Sequence, residues 1–569
     1  MNFPDDTFRA TIYMILAFVD WATSDFWHCF RARSQNLLSS QLTAHTITQY
    51  HKALMAAHSS TESPAGLPVD NPSKSYWLSE PSEILLGHRT TKDLPQAADV
   101  VIVGSGITGA FAAHCVKEKA PNLNVVMLEA REACSGATGR NGGHCQPAYY
   151  NCPPHVAAFE HRTYSYLKAL VESHSIPCDW HVTTGVHGYY SLELFNATRK
   201  IIEKIQEEHP DIGANITIVT KGNDKPSSSP GGGEKMELTL EGLRVGAAEG
   251  AIVQQNAGSL WPYKLVAFVL ERLLAADGFN LQTNTPVTGL KRGSAPMEVS
   301  SRDPGAGEVA SRGWTVRTSR GDISARHVLL ATNAYTSYLL PQFADIIVPV
   351  KGQVSSLRPP PQPAKGPLNI EHTFYFVSDL ADRRDDYLVQ RPPPGAELIY
   401  GGGRIRAKGH GLSVWDDSTI DEPVAQYLRD ELGGLMDLSI REEGRTQGEH
   451  DIQLPKQDLE PTFQWAGIMG YSRDGWPWVG PVPTSAGGGD GLWLCAGYTG
   501  GGMPNAALCA KAVVNMMIPG NNDGDNLADQ IDLPPEYILT EDRLKKARTC
   551  ETIIEADIRG AFMLDLDIF

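Results

Sequence analysis

Apolar and polar positions divide the chain into short apolar runs separated by helical stretches, and the clearest such unit starts at Asp99. Val100 to Val103 is an unbroken apolar run bounded by Asp99 and Gly104, the pattern of a strand buried on both faces. Ala110 to Lys119 then carries small and apolar residues at helical spacing, and Asn124 to Leu128 is a second apolar run that stops at Glu129. Strand, helix and strand in this order predict a parallel βαβ unit. Helical spacing recurs within residues 155–209, interrupted by a strand-like alternation from Val186 to Leu192. Ala251 to Leu260 leads into a helix over Pro262–Ala276, and Asn280 to Gly289 reads as a strand returning to the first unit. Later apolar runs at Ala325–Leu330, Pro349–Val354, Tyr387–Val389, Leu398–Tyr400 and Leu492–Cys495 predict further strands, and Pro504–Met517 a last long helix.

The turn between the first strand and its helix is Gly104-Ser105-Gly106-Ile107-Thr108-Gly109. Gly104 permits the tight turn, Gly106 lets backbone approach a pyrophosphate, and Gly109 lets helix and strand pack closely. The free amides at the helix start present the positive end of the helix dipole to phosphate. Glu129 lies 20 residues past Gly109, where a carboxylate takes ribose hydroxyls, and Ala130 and Arg131 follow it. The whole arrangement predicts a dinucleotide site, against the blander reading of a plain βαβ unit. Directly after it, SGATGRNGGHCQP (Ser135–Pro147) is too rich in glycine for a normal element. It suits backbone passing against a flat ring and more phosphate. Its candidate contacts are Gly136, Ala137, Thr138, Arg140, Asn141, Gly142, Gly143 and His144.

With that loop the chain resembles the FAD-dependent oxidoreductases of the D-amino-acid oxidase superfamily, the group of glycine oxidase, sarcosine oxidase and γ-glutamylputrescine oxidase. The SG-x-x-GRNGG form is most similar to the γ-glutamylputrescine oxidase branch and to fungal relatives. The resemblance covers about residues 67–518. It implies an α/β fold with an α+β second domain, a Rossmann-like FAD-binding domain beside a β-sheet-based substrate domain. The FAD-binding parts would be residues 67–150, 251–335 and 455–518, and the substrate parts 151–250 and 336–454. An N-terminal extension (1–66) and an acidic, partly helical surface tail (519–569) flank them.

The resemblance also implies that the backbone of Val287 clasps the adenine, and that Ala331 and Thr332 form a turn beneath the dinucleotide. Asn333 stands where relatives have glycine, and asparagine tolerates left-handed backbone better than other side chains. Trp465 to Pro481, with Gly470, would pass the flavin ring. Gly497, Thr499, Gly500, Gly501, Gly502 and Met503 form a second glycine loop entering a helix. Its amides and dipole would stabilise negative charge at the pyrimidine end of the flavin.

Length and composition agree with this picture. A chain of 569 residues with 41% apolar content suffices for two domains with sizeable cores. Lys plus Arg (49) against Asp plus Glu (66) leaves −17, which argues against nucleic acid or an anionic membrane as partner. Nine scattered cysteines without a C-x-x-C pair suggest a reducing, intracellular and cytoplasmic setting. Ala10 to Val19 is apolar for ten residues, too short to span a bilayer and without the basic start of a signal peptide. A peripheral helix or weakly ordered extension is expected there, with membrane contact as the alternative. No metal site is expected.

The implied chemistry is oxidation of the carbon–nitrogen bond of an amino acid or related amine, with hydride passing to non-covalently held FAD. An imine results, and oxygen as acceptor would give hydrogen peroxide. A dehydrogenase using another acceptor and a non-catalytic flavin-binding scaffold are the rivals. Lys351 is a candidate for activating oxygen, with a surface lysine as the plain alternative. Arg404 and Arg406 follow the Leu398–Gly403 strand. Read as its continuation, they offer Arg404 as a bidentate carboxylate clamp, or a solvated ion pair. Tyr387 and Tyr400 line the substrate cavity or pack as strand tyrosines do. Arg140 holds pyrophosphate or a substrate carboxylate, or else braces its loop through backbone bonds. A covalent flavin link at His144 or Cys145 is disfavoured.

Overall fold

The computed structural model describes residues 63–222, 238–296, 312–360, 368–378, 384–439, 458–519 and 531–553. The apolar Ala10–Val19 stretch, the Ser- and Gly-rich residues after Gly222, most of the polar residues of Arg302–Gly313 and the end of the acidic tail, whose sequence reads as a surface segment, lie outside them. The chain begins with β1 (Ala97–Val103), α1 (Ile107–Lys119) and β2 (Val125–Leu128). It then moves to a second layer, with β3 (His144–Cys145), α2 (Pro154–His174), β4 (His181–Tyr189), α3 (Leu192–Glu208), β5 (Ile216–Thr220) and β6 (Gly250–Ser259). It returns through α4 (Pro262–Leu274), β7 (Phe279–Gln282), β8 (Val287–Pro296), β9 (Arg312–Thr318) and β10 (Gly321–Leu330). The second layer is resumed by β11 (Ile347–Leu357), β12 (His372–Val377), β13 (Asp385–Gln390), β14 (Leu398–Gly401), α5 (Glu422–Asp430) and β15 (Pro461–Ser472). The first is closed by β16 (Trp478–Pro481), β17 (Leu492–Ala496) and α6 (Ala506–Met517), after which comes a short α7 (Glu541–Ala547).

The first sheet has the order β16-β17-β10-β1-β2-β7, with β8 and β9 appended to β10 as a hairpin. From β17 to β7 its strands are parallel, so their carboxyl ends share one edge. That edge is where an open parallel sheet binds ligands. Helix α1 is buried on nearly every side, from Ala110 through Ala113 and at Val116, because it lies between the sheet and helices α4 and α6. Its small residues permit this close approach, and burying Phe111 contributes about 1.5–3 kcal/mol.

The second sheet runs β15-β11-β14-β13-β12-β4-β6-β3 with β5 on β6, antiparallel except between β4 and β12. Period-two alternation gives it two faces. Val354, Val377, Val389, Ile399 and Ile252 face the apolar core shared with the first layer, while Phe374, Phe376, Leu388, Leu398 and Tyr400 pack with Val424 and Leu428 of α5.

Three expectations change. Asn280–Gly289 is two strands, because left-handed Asn284 (φ +50°) and Pro286 turn the chain between β7 and β8. The strand after Leu398 stops at Gly401, and Arg404–Arg406 is a single helical turn, so strand alternation does not govern the two arginines. The tail is more than a surface segment in its described part: Tyr537 and Ile553 are 1% exposed, and Arg543 pairs with Asp474 at 2.8 Å while stacking 3.6 Å from the Trp478 ring.

Candidate active site

Turns leave the carboxyl ends of the adjacent strands β1, β10 and β17 side by side. At Gly104 (φ +106°) an added Cβ would sit 2.6 Å from the Ala331 carbonyl oxygen, and at Gly109 it would sit 2.0 Å from that of Gly104. Both glycines are therefore demanded by the approach of helix, strand and neighbouring turn. Glu129, at the end of β2, accepts hydrogen bonds from Ser105 N (3.0 Å), Ser105 Oγ (2.6 Å) and Arg131 N (2.9 Å). Thr285 N donates to the Glu129 carbonyl at 2.8 Å, which brings the start of β8, and Val287, alongside.

The loop from Ser135 to His144 crosses from the first layer to the second. Its Thr138 hydroxyl accepts from Ile107 N at 3.1 Å, fastening the loop to the start of α1 beside Gly106. Ala137 opens the same short helical turn. A Cβ on Gly136 would meet nothing within 4 Å, and the nearest atoms to one on Gly501 or Gly502 lie 3.6 Å or more away. The Ser135 hydroxyl, which the glycine pattern did not single out, is buried with no protein partner. Backbone amides, two hydroxyls, a pinned carboxylate and glycine-lined space suit the phosphates, ribose and ring of FAD.

Arg140 braces this loop. Its Nε donates to the Ala466 carbonyl (2.7 Å) and lies 3.1 Å from Asp417 Oδ2, and its Nη2 binds Ser73. Asp417 also takes Arg131 at 2.9 Å, so one buried carboxylate serves two guanidiniums. Burial pushes Arg140 down to about 10, and Asp417 opposes that. Asn141 Oδ1 accepts from Gly143 N at 2.9 Å, and Gly143 (φ +72°) turns the backbone where a Cβ would strike the Trp77 ring.

Asn333 adopts φ +41°, and its side chain does what glycine cannot. Its Oδ1 accepts from Gly497 N at 3.0 Å and occupies the space a Cβ on Gly470 would need. Thr499 N donates to the Gly470 carbonyl (2.9 Å), its hydroxyl accepts from Ser472 N (3.0 Å), and Tyr498 OH lies 2.9 Å from Thr108 Oγ1. These contacts tie the turn after β10 to the second glycine loop, and that loop to α1. Thr332 hydrogen-bonds Thr336 at 2.9 Å, and Met503 is buried where the loop enters α6.

The inner face of the second sheet supplies a wall. Val354, Gly401, Tyr387, Tyr375, His187 and Ile252 stand in register across adjacent strands. The Tyr387 ring lies over Gly401 and against Gly142, where Cβ atoms would come within 2.3 and 2.1 Å of it. Tyr375 sits 6.0 Å from Tyr387 and 5.4 Å from His187 between ring centres. His187 Nδ1 hydrogen-bonds Tyr150 OH, which is 3.1 Å from Tyr189 OH, and His144 Nε2 is 3.0 Å from Thr373 Oγ1. Burial pushes His187 down to about 3 and His144 to about 4, so both rings are neutral. Sequence reasoning missed Tyr150, His187, Tyr189 and Tyr375. The one trace of the last three was the alternation in β4 and β12, which puts His187 with Tyr189 and Thr373 with Tyr375 on one face.

The other candidates stand apart from this wall. Lys351 is three residues from Val354 and so faces the opposite side, where its Nζ is 3.2 Å from Asp421 Oδ2 and 3.1 Å from Thr419 Oγ1. Arg404 donates to the His410 carbonyl at 3.0 Å and lies 5.7 Å from the Tyr471 ring, and Arg406 lies 5.3 Å from that of Tyr427. Tyr400 points outward and donates to Asp386 at 2.6 Å. Among the described residues no cluster of His, Cys, Asp and Glu is placed to hold a metal, and no helix is long and apolar enough to cross a membrane.

Comparison with known proteins agrees with this geometry. Residues 99–516 match the family DAO, FAD dependent oxidoreductase. A glycine oxidase of Pseudomonas aeruginosa is 24% identical over 426 residues, 74% of this chain and 94% of its own. The solved glycine oxidase of Geobacillus kaustophilus has a TM-score of 0.54 at 18% identity, covering 76% of this chain and 97% of that one. The L-proline dehydrogenase of P. horikoshii has a TM-score of 0.52 at 18% identity, covering 76% and 96%. These structures share the parallel sheet and the curled, mostly antiparallel second sheet. The chain belongs to the DAO family of FAD-dependent oxidoreductases.

Proposed function

We propose that this enzyme oxidises the carbon–nitrogen bond of an amino acid or related amine to an imine, with molecular oxygen as the final acceptor and hydrogen peroxide as product. One observation carries the reading. The loop from Ser135 to His144 runs unbroken from the FAD cradle to the inner wall, and its Gly142 backbone touches Tyr387. A substrate lying on Tyr387, Tyr375 and His187 is therefore next to the backbone that lines the cofactor. Bound FAD supplies the hydride acceptor. The chain contributes orientation and water exclusion: the tilted tyrosine rings present an aromatic wall, and neutral His187 and His144 accept or donate hydrogen bonds without adding charge. An amine binds there as its free base, with its lone pair available as the C–H bond breaks. The resulting imine is hydrolysed by water.

Glycine, sarcosine and butylamine mixed anaerobically with the holoenzyme test this reading. Bleaching of the yellow flavin band by at least one, followed by fast reoxidation and peroxide release on admitting oxygen, is the expected result. Slow reoxidation would assign the electrons to another acceptor. A flavin that no amine or amino acid bleaches would reject the reading.

A further inference from the structure

The described part of the C-terminal segment, residues 531–553, lies beyond the family match, yet it reaches the second glycine loop. Tyr537 OH donates to Asn505 Oδ1 at 3.0 Å. That contact secures the oxygen side of the Asn505 amide. Its nitrogen donates to the Gly501 carbonyl at 2.8 Å and to Glu160 Oε1 at 2.7 Å. Glu160, 7% exposed on α2, accepts at its other oxygen from Ala148 N at 2.7 Å. Ala148 belongs to the stretch that carries His144 and Tyr150 into the inner wall. One buried carboxylate and one amide thus hold both the cofactor loop and the base of the wall, and Tyr537 completes the set.

The peptide between Gly501 and Gly502 is where this matters. In a trans peptide the carbonyl and the following N–H point in opposite directions. Holding the Gly501 oxygen on Asn505 therefore aims the Gly502 N–H away from Glu160. With glycine on both sides of the bond, nothing in the loop's own side chains resists rotation of that peptide.

We propose that Tyr537, Asn505 and Glu160 are positioning residues: through them the C-terminal segment fixes the Gly501–Gly502 peptide against the flavin and so favours the reduced, negatively charged cofactor. The inference rests on the placement of the second glycine loop at the flavin, and not on which amine is oxidised.

The test is the midpoint potential of FAD in the intact holoenzyme, titrated with a chemical reductant so that no substrate is needed. Tyr537→Phe removes only the hydroxyl. The expected result is about a tenfold loss in stabilisation of the reduced form, which for a two-electron couple is about 30 mV toward more negative potential. Leu539→Ala, a buried residue of the same segment with no contact in this network, is the control: it should lower the melting temperature with the potential unchanged. An unchanged potential in Tyr537→Phe, or an equal shift in Leu539→Ala, would overturn the proposal. A protein that oxidises no amine but shows the Tyr537→Phe shift would remove the proposed reaction and leave this inference standing.

Discussion

The proposed FAD cradle and the inner wall are built by opposite means. The cradle is backbone: amides, carbonyls and missing Cβ atoms, at turns that follow parallel strands. The wall is side chain, a row of rings assembled from β4, β12 and β13. A site made of backbone is unforgiving of added atoms and writes itself into the sequence as glycine. A site made of side chains tolerates exchange and leaves no spacing rule behind.

Substitution tests that contrast. Gly109→Val should be the most damaging change, because even its Cβ would stand 2.0 Å from the Gly104 oxygen. Overpacking of this severity costs upward of about 3 kcal/mol, so the variant should elute from gel filtration colourless or fail to fold. Tyr387→Phe, on the wall, should elute yellow with an unchanged FAD content. Equal flavin loss in both variants would erase the distinction between the two regions.

Asp417→Ala comes next. It strips the shared partner from two buried guanidiniums, and about 3–5 kcal/mol should disappear from the denaturant unfolding free energy.

The neutral histidines of the wall predict an acid sensitivity of intermediate size. Burial lowers the folded His187 to about 3, whereas the unfolded ring takes its proton near 6.5. Stability is therefore complete above 6.5 and falls as pH drops below it, by up to about 1.4 kcal/mol per pH unit for each such ring. Unfolding at pH 7 and pH 5 should show the loss, and His187→Gln should remove one ring's share of it while His144 keeps its own.

The smallest effect belongs to the half-exposed His155–Glu536 pair, 3.0 Å apart. The hydrogen bond to Glu536 raises His155 above 6.5. For Glu536 burial pulls upward, but the hydrogen bonds from His155 and from its own backbone N–H, with the charges of His155 and Arg543, together outweigh it and leave the carboxyl below 4.5. The histidine's share is lost as pH rises through its folded value and the carboxylate's as pH falls through its own. The pair therefore helps most between about 4.5 and 6.5, where His155→Gln should cost under about 1 kcal/mol in a melting series.

What could be read in advance follows the same division. β1, α1 and β2 were legible because a strand buried on both faces, a glycine turn and a small-residue helix leave few alternatives. Asn333 was legible as a left-handed residue, but not as the group that binds Gly497. Lys351 and Arg404 were singled out for their charge alone. Strand parity sends Lys351 to the outer face, and the early end of β14 removes Arg404 from the strand altogether. His187 and Tyr375 lie almost two hundred residues apart and meet only through the parallel pairing of β4 with β12, which no local pattern announces.

The chain crosses between the two layers four times before α6 is reached. Since β17 pairs with β10 and β10 with β1, the parallel sheet stays open until residue 496 has emerged during synthesis. With the cofactor held as proposed, its capture would come late in biogenesis. Most partners here are distant in sequence, which slows folding and leaves strand edges bare meanwhile. Expression without enough riboflavin should therefore yield aggregates more readily than soluble apoprotein.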